Sequence, residues 1–350
     1  MIDWLKFKVN CLHTPLPRNG ALISYDENGV VEWEKPRPTM ITGSFDHRVK
    51  VQSTGPLTDK GLCTEFEVDG NITKFLQGHN VWGTDDHIGL VRSFIEWLFN
   101  NPKSPLIPAP GVISSDLDPS KFVCNRIDIT HYMDVGGRHN VRTTLDALTT
   151  DAHTKYQRAN NHKGTVYINK NSRRWSFKFY DKYQETAGRS KARSLTCTGF
   201  DQNQQQLIRD SVSGMVRAEL VLRLMELREL EIVTLGQIKP NVLYKDYLKR
   251  ISTEANVRMN AENIDKMPAK LRLTYTAWEA GHDLLSMMSK ASYYRHKKEL
   301  KQHGIDISQP PKSNEKSSTV VSLVRYIEAM PAAMPSDIVP LIHVPNRRTA

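Results

Sequence analysis

Residues 1–82 alternate apolar and polar positions in short runs. "WLKFKVNCL", "GVVEWEK", "GSFDHRVKVQS", "GLCTEFEVDG" and "NITKFLQG" are rich in β-branched and aromatic residues, with Gly, Asn and Asp between them. That is the pattern of half-buried strands joined by turns. The period changes in "TDDHIGLVRSFIEWLFNN", where Ile88, Val91, Phe94, Ile95 and Leu98 recur at helical spacing behind Thr84 as a cap. A Pro-rich loop, "NPKSPLIPAPG", leads into a long strand, "KFVCNRIDITHYMDV", and then a helix from about Asn140 to Arg158. "KGTVYINK" and "WSFKFYDKYQE" read as a hairpin, "DQNQQQLIRDSVSG" as a short helix, and Met215 to Leu222 as a strand. Beyond residue 223 the pattern is helical, with two helices separated by a break near Met288 and a tail that is loop-like at both ends. The expected fold is α+β. A mixed domain with antiparallel sheet spans residues 1–240, and a helical domain spans 241–350.

Composition narrows the partners. The chain has 350 residues, 39% of them hydrophobic, enough for a sizeable core. Its net charge of +10 points to a polyanion, with nucleic acid as the leading candidate. No stretch approaches the ~18 apolar residues of a membrane span, and the strand-like start is unlike a signal peptide. Cys11, Cys63, Cys124 and Cys197 are far apart and form no CxxC pair, as expected of buried thiols in a reducing cytoplasm.

Two strands carry charge in apolar surroundings. "NRIDIT" sets Arg126 and Asp128 on one face, and "VRAEL" does the same for Arg217 and Glu219. Glu67 lies on an earlier strand and His79 at a turn in "LQGHNVWG". A buried carboxylate needs a partner or a metal. The residues alone leave two readings open: Arg–carboxylate bridges between strands, or oxygen ligands converging on a hard cation such as Mg²⁺ or Mn²⁺. His79 alone reads most simply as a turn residue with a satisfied ring. No His–apolar–His triplet, Walker A loop, Cys/His zinc spacing or serine elbow is present.

"KGTVYINKNSRRWSFKFYDKYQE" crowds Tyr167, Tyr180 and Tyr183 among basic residues, with Asp181 and Glu185 as its only acids. A tyrosine is a weak nucleophile until its proton is drawn away by cations or a base. In a continuous strand Tyr180 and Lys182 would share a face and Tyr183 the other. Ordinary packing explains any one of these tyrosines equally well.

"KFLQGHNVWGTDD", "NRIDIT", "FKFYDKYQE", "GMVRAELVLR", "SKASYYRHKKELKQHGIDI" and "STVVSLVRYIEA" occur in the order seen in the replication initiation proteins of filamentous bacteriophages, the gene II protein family, which this chain resembles over residues 65–330. "RIDIT", the tyrosine hairpin and "RAEL" are more distantly similar to plasmid rolling-circle initiators of the Rep_trans type. The resemblance implies a metal-dependent endonuclease that nicks one strand of a double-stranded origin and stays attached by a 5′-phosphotyrosine. The nick leaves a 3′-OH for the host polymerase, with a host helicase as a further partner, in the cytoplasm of the bacterial host. It implies Tyr180 as nucleophile and Lys182 as the cation that stabilises the developing charge, with Glu185 at a family glutamate. It also implies a Mg²⁺ or Mn²⁺ site drawn from Glu67, Asp128, Glu219 and His79, with His79 alternatively on the scissile phosphate. Nothing is carried over to the first 60 residues.

Lys170, Arg173, Arg174 and Lys178 would then follow the cut single strand, with Trp175 stacking on a base. "SKASYYRHKKELKQHG" reads as a basic recognition helix capped by Ser289 and stopped by Gly304. It carries Arg295, Lys297, Lys298 and Lys301 and is supported by "YTAWEAGHDLLSMM" in a helix-turn-helix-like unit. A solvated face of a helical bundle would look the same. Two rival functions differ in one test each. A non-catalytic origin-binding protein or repressor leaves supercoiled DNA intact, and a hydrolytic nuclease cuts without becoming attached.

Overall fold

A computed structural model describes residues 1–17, 20–43, 45–155, 157–187, 195, 199–251, 267–302, 305, 307–308 and 332–342. Eleven strands appear among them: β1 (Ile2–His13), β2 (Ala21–Tyr25), β3 (Val31–Pro36), β4 (Thr39–Thr42), β5 (Arg48–Leu57), β6 (Cys63–Gly70), β7 (Val123–Asp134), β8 (Asn160–His162), β9 (Thr165–Ile168), β10 (Trp175–Tyr180) and β11 (Met215–Arg223). The helices are α1 (Ile72–Gln77), α2 (His87–Asn100), α3 (Arg138–Asp151), α4 (Lys182–Thr186), α5 (Gln202–Asp210), α6 (Leu224–Glu229), α7 (Pro240–Leu248), α8 (Ala269–Glu279), α9 (Leu284–Met287) and α10 (Lys290–Gln302). The fold is α+β.

Nine strands form one antiparallel sheet in the order β4-β5-β6-β1-β7-β11-β10-β9-β8, and β2 and β3 form a separate ribbon. Strand alternation divides the large sheet into two unlike faces. One face carries Val49, Val51, Phe66, Val68, Leu5, Phe7, Ile127, Ile129, Leu220, Phe177, Phe179 and Val166, all fully buried in one core with Phe94 and Leu98 of α2 and Leu148 of α3. Each such side chain contributes about 1.5–3 kcal/mol on leaving water. The other face carries most of the sheet's charge.

Two bulges shape that charged face. Ile2 pairs with Ile129 and Trp4 with Asp128, so Asp3 is an extra residue in β1. Lys6 pairs with Arg126 and Phe7 with Cys124, so Asn125 is an extra residue in β7. A bulge re-aims neighbouring side chains, and here it brings Asp3 and Trp4 to one cleft.

Local rules explain where the expected elements differ. "NITKFLQG" is helical, not a strand: Asn71 accepts from Lys74 N, and Gly78, at φ 84°, ends the turn. Asp86 rather than Thr84 caps α2, accepting from Gly89 N at 2.8 Å. Helix α3 stops at Asp151, before the expected Arg158, because a turn closed by Thr154 N to Gln157 O at 2.7 Å sends the chain into β8. The expected supporting helix over residues 275–288 is broken: α8 ends at Glu279, Gly281 adopts φ 82°, and Asp283 starts α9.

The expected division at residue 240 falls at the start of α7, whose Leu243, Tyr244, Tyr247 and Leu248 belong to the main core. A second apolar cluster joins Met267, Leu271, Tyr275 and Trp278 to Leu284, Tyr293, Leu300, Ile305 and Ile307. Residues 332–342 return to the sheet, where Ala332 N donates to Tyr132 O at 2.8 Å. Cys11, Cys63 and Cys124 are buried free thiols, while Cys197, Gly304 and the segment "STVVSLVRYIEA" lie outside the described residues.

Candidate active site

Tyr180 ends β10 opposite Arg217 of β11, and Lys178 lies opposite Glu219. Both pairs face the charged side, together with Asp128 of β7. They floor an open cleft of about 1310 Å³ walled by α3, α4 and the β8–β9 turn. Tyr180 Oη lies 3.5 Å from Glu219 Oε2. Glu219 Oε1 accepts from Lys178 Nζ, and Asp128 is held in a fork by Arg126 Nε and Nη2, both at 2.7 Å.

Asp128 and Glu219 are almost wholly buried, at 1% and 4% exposure. Burial pushes the Asp128 carboxyl up to about 7, with the Glu219 charge adding to the rise and Arg126 opposing it. The Tyr180 phenol is raised well above its ordinary value, first by burial and then by the carboxylates of Glu219, Glu185 and Asp3, against the pull of Arg217. The phenol is therefore protonated at neutral pH.

A buried polar network lies behind Tyr180. Arg217, at 0% exposure, has its guanidinium carbon 5.9 Å from the Tyr180 ring centroid. It donates to Asn80 O and to Tyr132 Oη, the latter at 3.0 Å. Its Nη2 forms an ion pair with Asp3 at 3.1 Å, off the hydrogen-bonding line. Asn71 and Asn80 amides donate to Asp3 at 2.8 and 2.7 Å. Burial alone would raise the Asp3 carboxyl; Arg217, Lys182 and the two amides outweigh it and hold it low.

Strand β10 does not continue to Lys182, because the Asp181 side chain accepts from Gln184 N at 3.0 Å and starts α4. Lys182 is nevertheless beside the tyrosine. Its Nζ is 6.0 Å from the Tyr180 ring centroid and donates to Asn80 Oδ1 at 2.9 Å and Glu185 Oε2 at 2.8 Å. Burial and the nearby Arg217 charge lower the Lys182 ammonium pKa.

The other expected site residues lie elsewhere. Glu67 is on β6, beyond β1 from Asp128, bound to Lys6 at 2.9 Å and Asn125 at 3.2 Å. His79 is buried, with Nδ1 3.4 Å from Gln77 Nε2 and Nε2 3.3 Å from Leu341 O. Burial lowers its pKa to about 4, so it is neutral with both nitrogens engaged. Among the described residues no three His, Cys, Asp or Glu side chains gather as a metal site. The four expected ligands therefore reduce to one adjacent pair, Asp128 and Glu219.

The expected single-strand track also separates. Trp175 shares the apolar face with Phe177 and packs edge-on to Tyr247 at 5.2 Å, so it turns away from the cleft. Arg174 is tied to Glu226 at 2.7 Å and Glu229 at 2.9 Å. Lys178 is in the cleft on Glu219, while Arg173 is exposed before β10. On α10, Tyr293, His296 and Leu300 face inward, and Arg295 and Lys298 are exposed three residues apart. Lys297 is half-buried, and the Lys301 side chain lies outside the described residues.

Asp3, Asn80, Arg138, Tyr183 and Arg209 also line the cleft, and no motif in the sequence marks them as site residues. Asp3 does carry a legible signal. The buried positions of the first strand switch from Ile2 to Leu5, Phe7 and Val9, a change of parity that marks a bulge.

Comparison with known proteins follows the same outline. Residues 1–241 match the N-terminal model of the replication-associated protein encoded by phage gene II, and residues 259–339 match the C-terminal model of the same protein. The match begins at residue 1, well before the motifs legible from residue 65. The corresponding replication-associated protein of Enterobacteria phage I2-2 is 34% identical over 352 residues, covering 99% of each chain. A solved structure of a rolling circle replication initiator protein from Geobacillus stearothermophilus aligns at 11% identity with a TM-score of 0.33, over 79% of this chain and 94% of that one. Two successive family matches and a full-length relative establish that this chain belongs to the gene II family of phage replication-associated proteins.

Proposed function

We propose that this protein starts rolling-circle replication by nicking one strand of duplex origin DNA with Tyr180. The observation that carries the reading is the position of Tyr180 Oη, 3.5 Å from a buried carboxylate on the floor of a wide cleft. Membership of a replication-associated family supports the same reading.

The phenol oxygen attacks the scissile phosphorus, its proton passes toward Glu219, and the P–O3′ bond breaks. The products are a 5′-phosphotyrosine and a 3′-OH that primes synthesis. Reversal closes the displaced strand without an external energy source. Arg217 and Lys182 favour the phenolate through their charge, and Asp3, Asn80 and Glu185 hold those cations in place.

The donor set suits a hard divalent cation at Asp128 and Glu219. Two buried carboxylates on adjacent strands raise one another's protonation, and a cation relieves that repulsion. Bound there, Mg²⁺ or Mn²⁺ would polarise the scissile phosphate as a Lewis acid. Arg126 and Lys178 now balance the pair. Glu67 and His79 have structural roles in this reading, on β1 and residues 332–342 respectively.

Residues up to Ile251 would form the nicking unit, and the cluster from Met267 onward would bind duplex origin DNA through the exposed face of α10. Supercoiled DNA bearing the protein's own origin tests the proposal. The expected result is a metal-dependent open circle with protein attached, lost in Tyr180→Phe. DNA left supercoiled favours a non-catalytic binder, and a nick with no attached protein favours a hydrolytic nuclease.

A further inference from the structure

The cleft wall next to Tyr180 holds two arginines on one aromatic ring. Tyr183 is the second residue of α4. The guanidinium carbon of Arg138 lies 4.8 Å from its ring centroid, and that of Arg209 4.4 Å away. Arg138 opens α3, Arg209 lies in the last turn of α5, and all three residues line the cleft. Three elements distant in sequence thus meet on one ring.

The wall is short of anions. Arg138 has Asp181 as partner at 2.5 Å, and the same carboxylate also caps α4. Arg209 Nε is buried with no hydrogen-bond acceptor. Arg142 and Lys163 extend the basic rim, and Arg142 meets Asp146 only at 3.8 Å. The spot is also rigidly set. Gly214, just before β11, lies so close to Gly137 that a Cβ there would come within 3.1 Å of Gly137 Cα, which pins the start of α3 beside the central strands.

Guanidinium groups stacked on an arene keep their N–H edges free and present them in a planar fork that matches phosphate oxygens. We infer that Arg138 and Arg209, spaced by the Tyr183 ring, form a clamp for a backbone phosphate of single-stranded DNA next to the scissile bond. Tyr183 acts here through its ring, as a positioning residue, with no role for its hydroxyl. The cut strand then runs along α3, α4 and the β8–β9 turn rather than over Arg173, Arg174 and Trp175. This inference names the substrate track of the cleft and rests on the nicking proposal above.

Binding of a fluorescein-labelled, mixed-sequence oligodeoxynucleotide of roughly 16 nucleotides, titrated at several salt concentrations, tests it. All proteins carry Tyr180→Phe, so the readout does not depend on cleavage. Arg138→Ala with Arg209→Ala should weaken binding about tenfold or more at low salt. It should also flatten the salt slope by roughly 0.7 for each phosphate charge no longer neutralised, about 1.4 for the pair. Lys60→Ala with Lys103→Ala removes the same charge from exposed sites outside the cleft and should leave the slope in place. Tyr183→Leu should lose binding with little change in fold, and Tyr183→Phe should restore it. An unchanged slope in the arginine pair, a loss matched by the lysine pair, or a Tyr183→Phe protein as weak as Tyr183→Leu would each overturn the clamp. If the Tyr180→Phe protein itself still nicks origin DNA, the nicking proposal fails while the slope still decides the clamp.

Discussion

Tyr180 and Glu219 meet diagonally across two neighbouring strands, 3.5 Å apart from Oη to Oε2, although 39 residues separate them in sequence. Neither strand could supply this pair alone. Strand β11 places Glu219 between the apolar side chains of Ala218 and Leu220, and β10 ends at Tyr180 because Asp181 turns the chain into a helix. The reactive oxygen sits at a strand end, beside a carboxylate that cannot move away.

The carboxylate pair carries a pH signature. Burial holds the Asp128 carboxyl up to about 7, against roughly 3.9 in an unfolded chain. Its contribution to stability is full below about pH 4 and is lost as pH rises through 7. Relative to Asp128→Asn, the wild type should therefore lose Tm steadily between these values. A cation binds the ionised form, so Mn²⁺ should raise the wild-type Tm more at pH 8 than at pH 6. Neither Asp128→Asn nor Glu219→Gln should show that rise; its persistence in both would remove the metal from this pair.

Arg217 is the centre of the buried network, and Arg217→Met should destabilise the fold by about 3–5 kcal/mol, since Asp3 is left charged without its cation. Asp3→Asn added to Arg217→Met should recover part of that loss. Urea unfolding of the two single variants and the double gives the coupling. Simple additivity would mean that the ion pair is not the source of the cost.

Periodicity shows the strands that carry the site, because β7, β10 and β11 alternate cleanly around Asp128, Lys178, Tyr180 and Glu219. It does not show which charges pair. Arg126 and Asp128 do bridge along one strand, whereas Arg217 passes by Glu219 to reach Asp3 and Tyr132. That choice depends on a bulge at the other end of the chain and on strand order, which spacing within one motif does not encode. Likewise Asn71 and Gly78 signal a short helix in "NITKFLQG" by their caps, but Ile72, Phe75 and Leu76 are too few to show a period.

His79 has a different expected behaviour from a ligand. Burial lowers its pKa to about 4, so stability from the neutral ring is full above about 6.5 and is lost as pH falls through 4. His79→Asn should cost about 1 kcal/mol by removing the hydrogen bond to Leu341 O and leave the Mn²⁺ shift in Tm intact. A weakened metal response would return His79 to the cation site.

Recognition should separate from chemistry. Replacing Arg295 and Lys298 with Ala should weaken binding to duplex origin DNA and lower the salt slope by up to about two phosphate contacts. Cleavage of a single-stranded oligonucleotide spanning the nick should continue, since the α10 cluster shares no core residue with the sheet. Equal loss on both substrates would place α10 in the cleft or in the folding core.

The most direct measurement is the site of covalent attachment. Protein incubated with Mn²⁺ and a single-stranded oligonucleotide carrying its nick site is digested, and the DNA-linked peptide is sequenced by mass spectrometry. The account predicts a 5′-phosphate linked to Tyr180, and no adduct from Tyr180→Phe. A linkage to Tyr167 or Tyr183, or cleavage with no linked peptide, would contradict it.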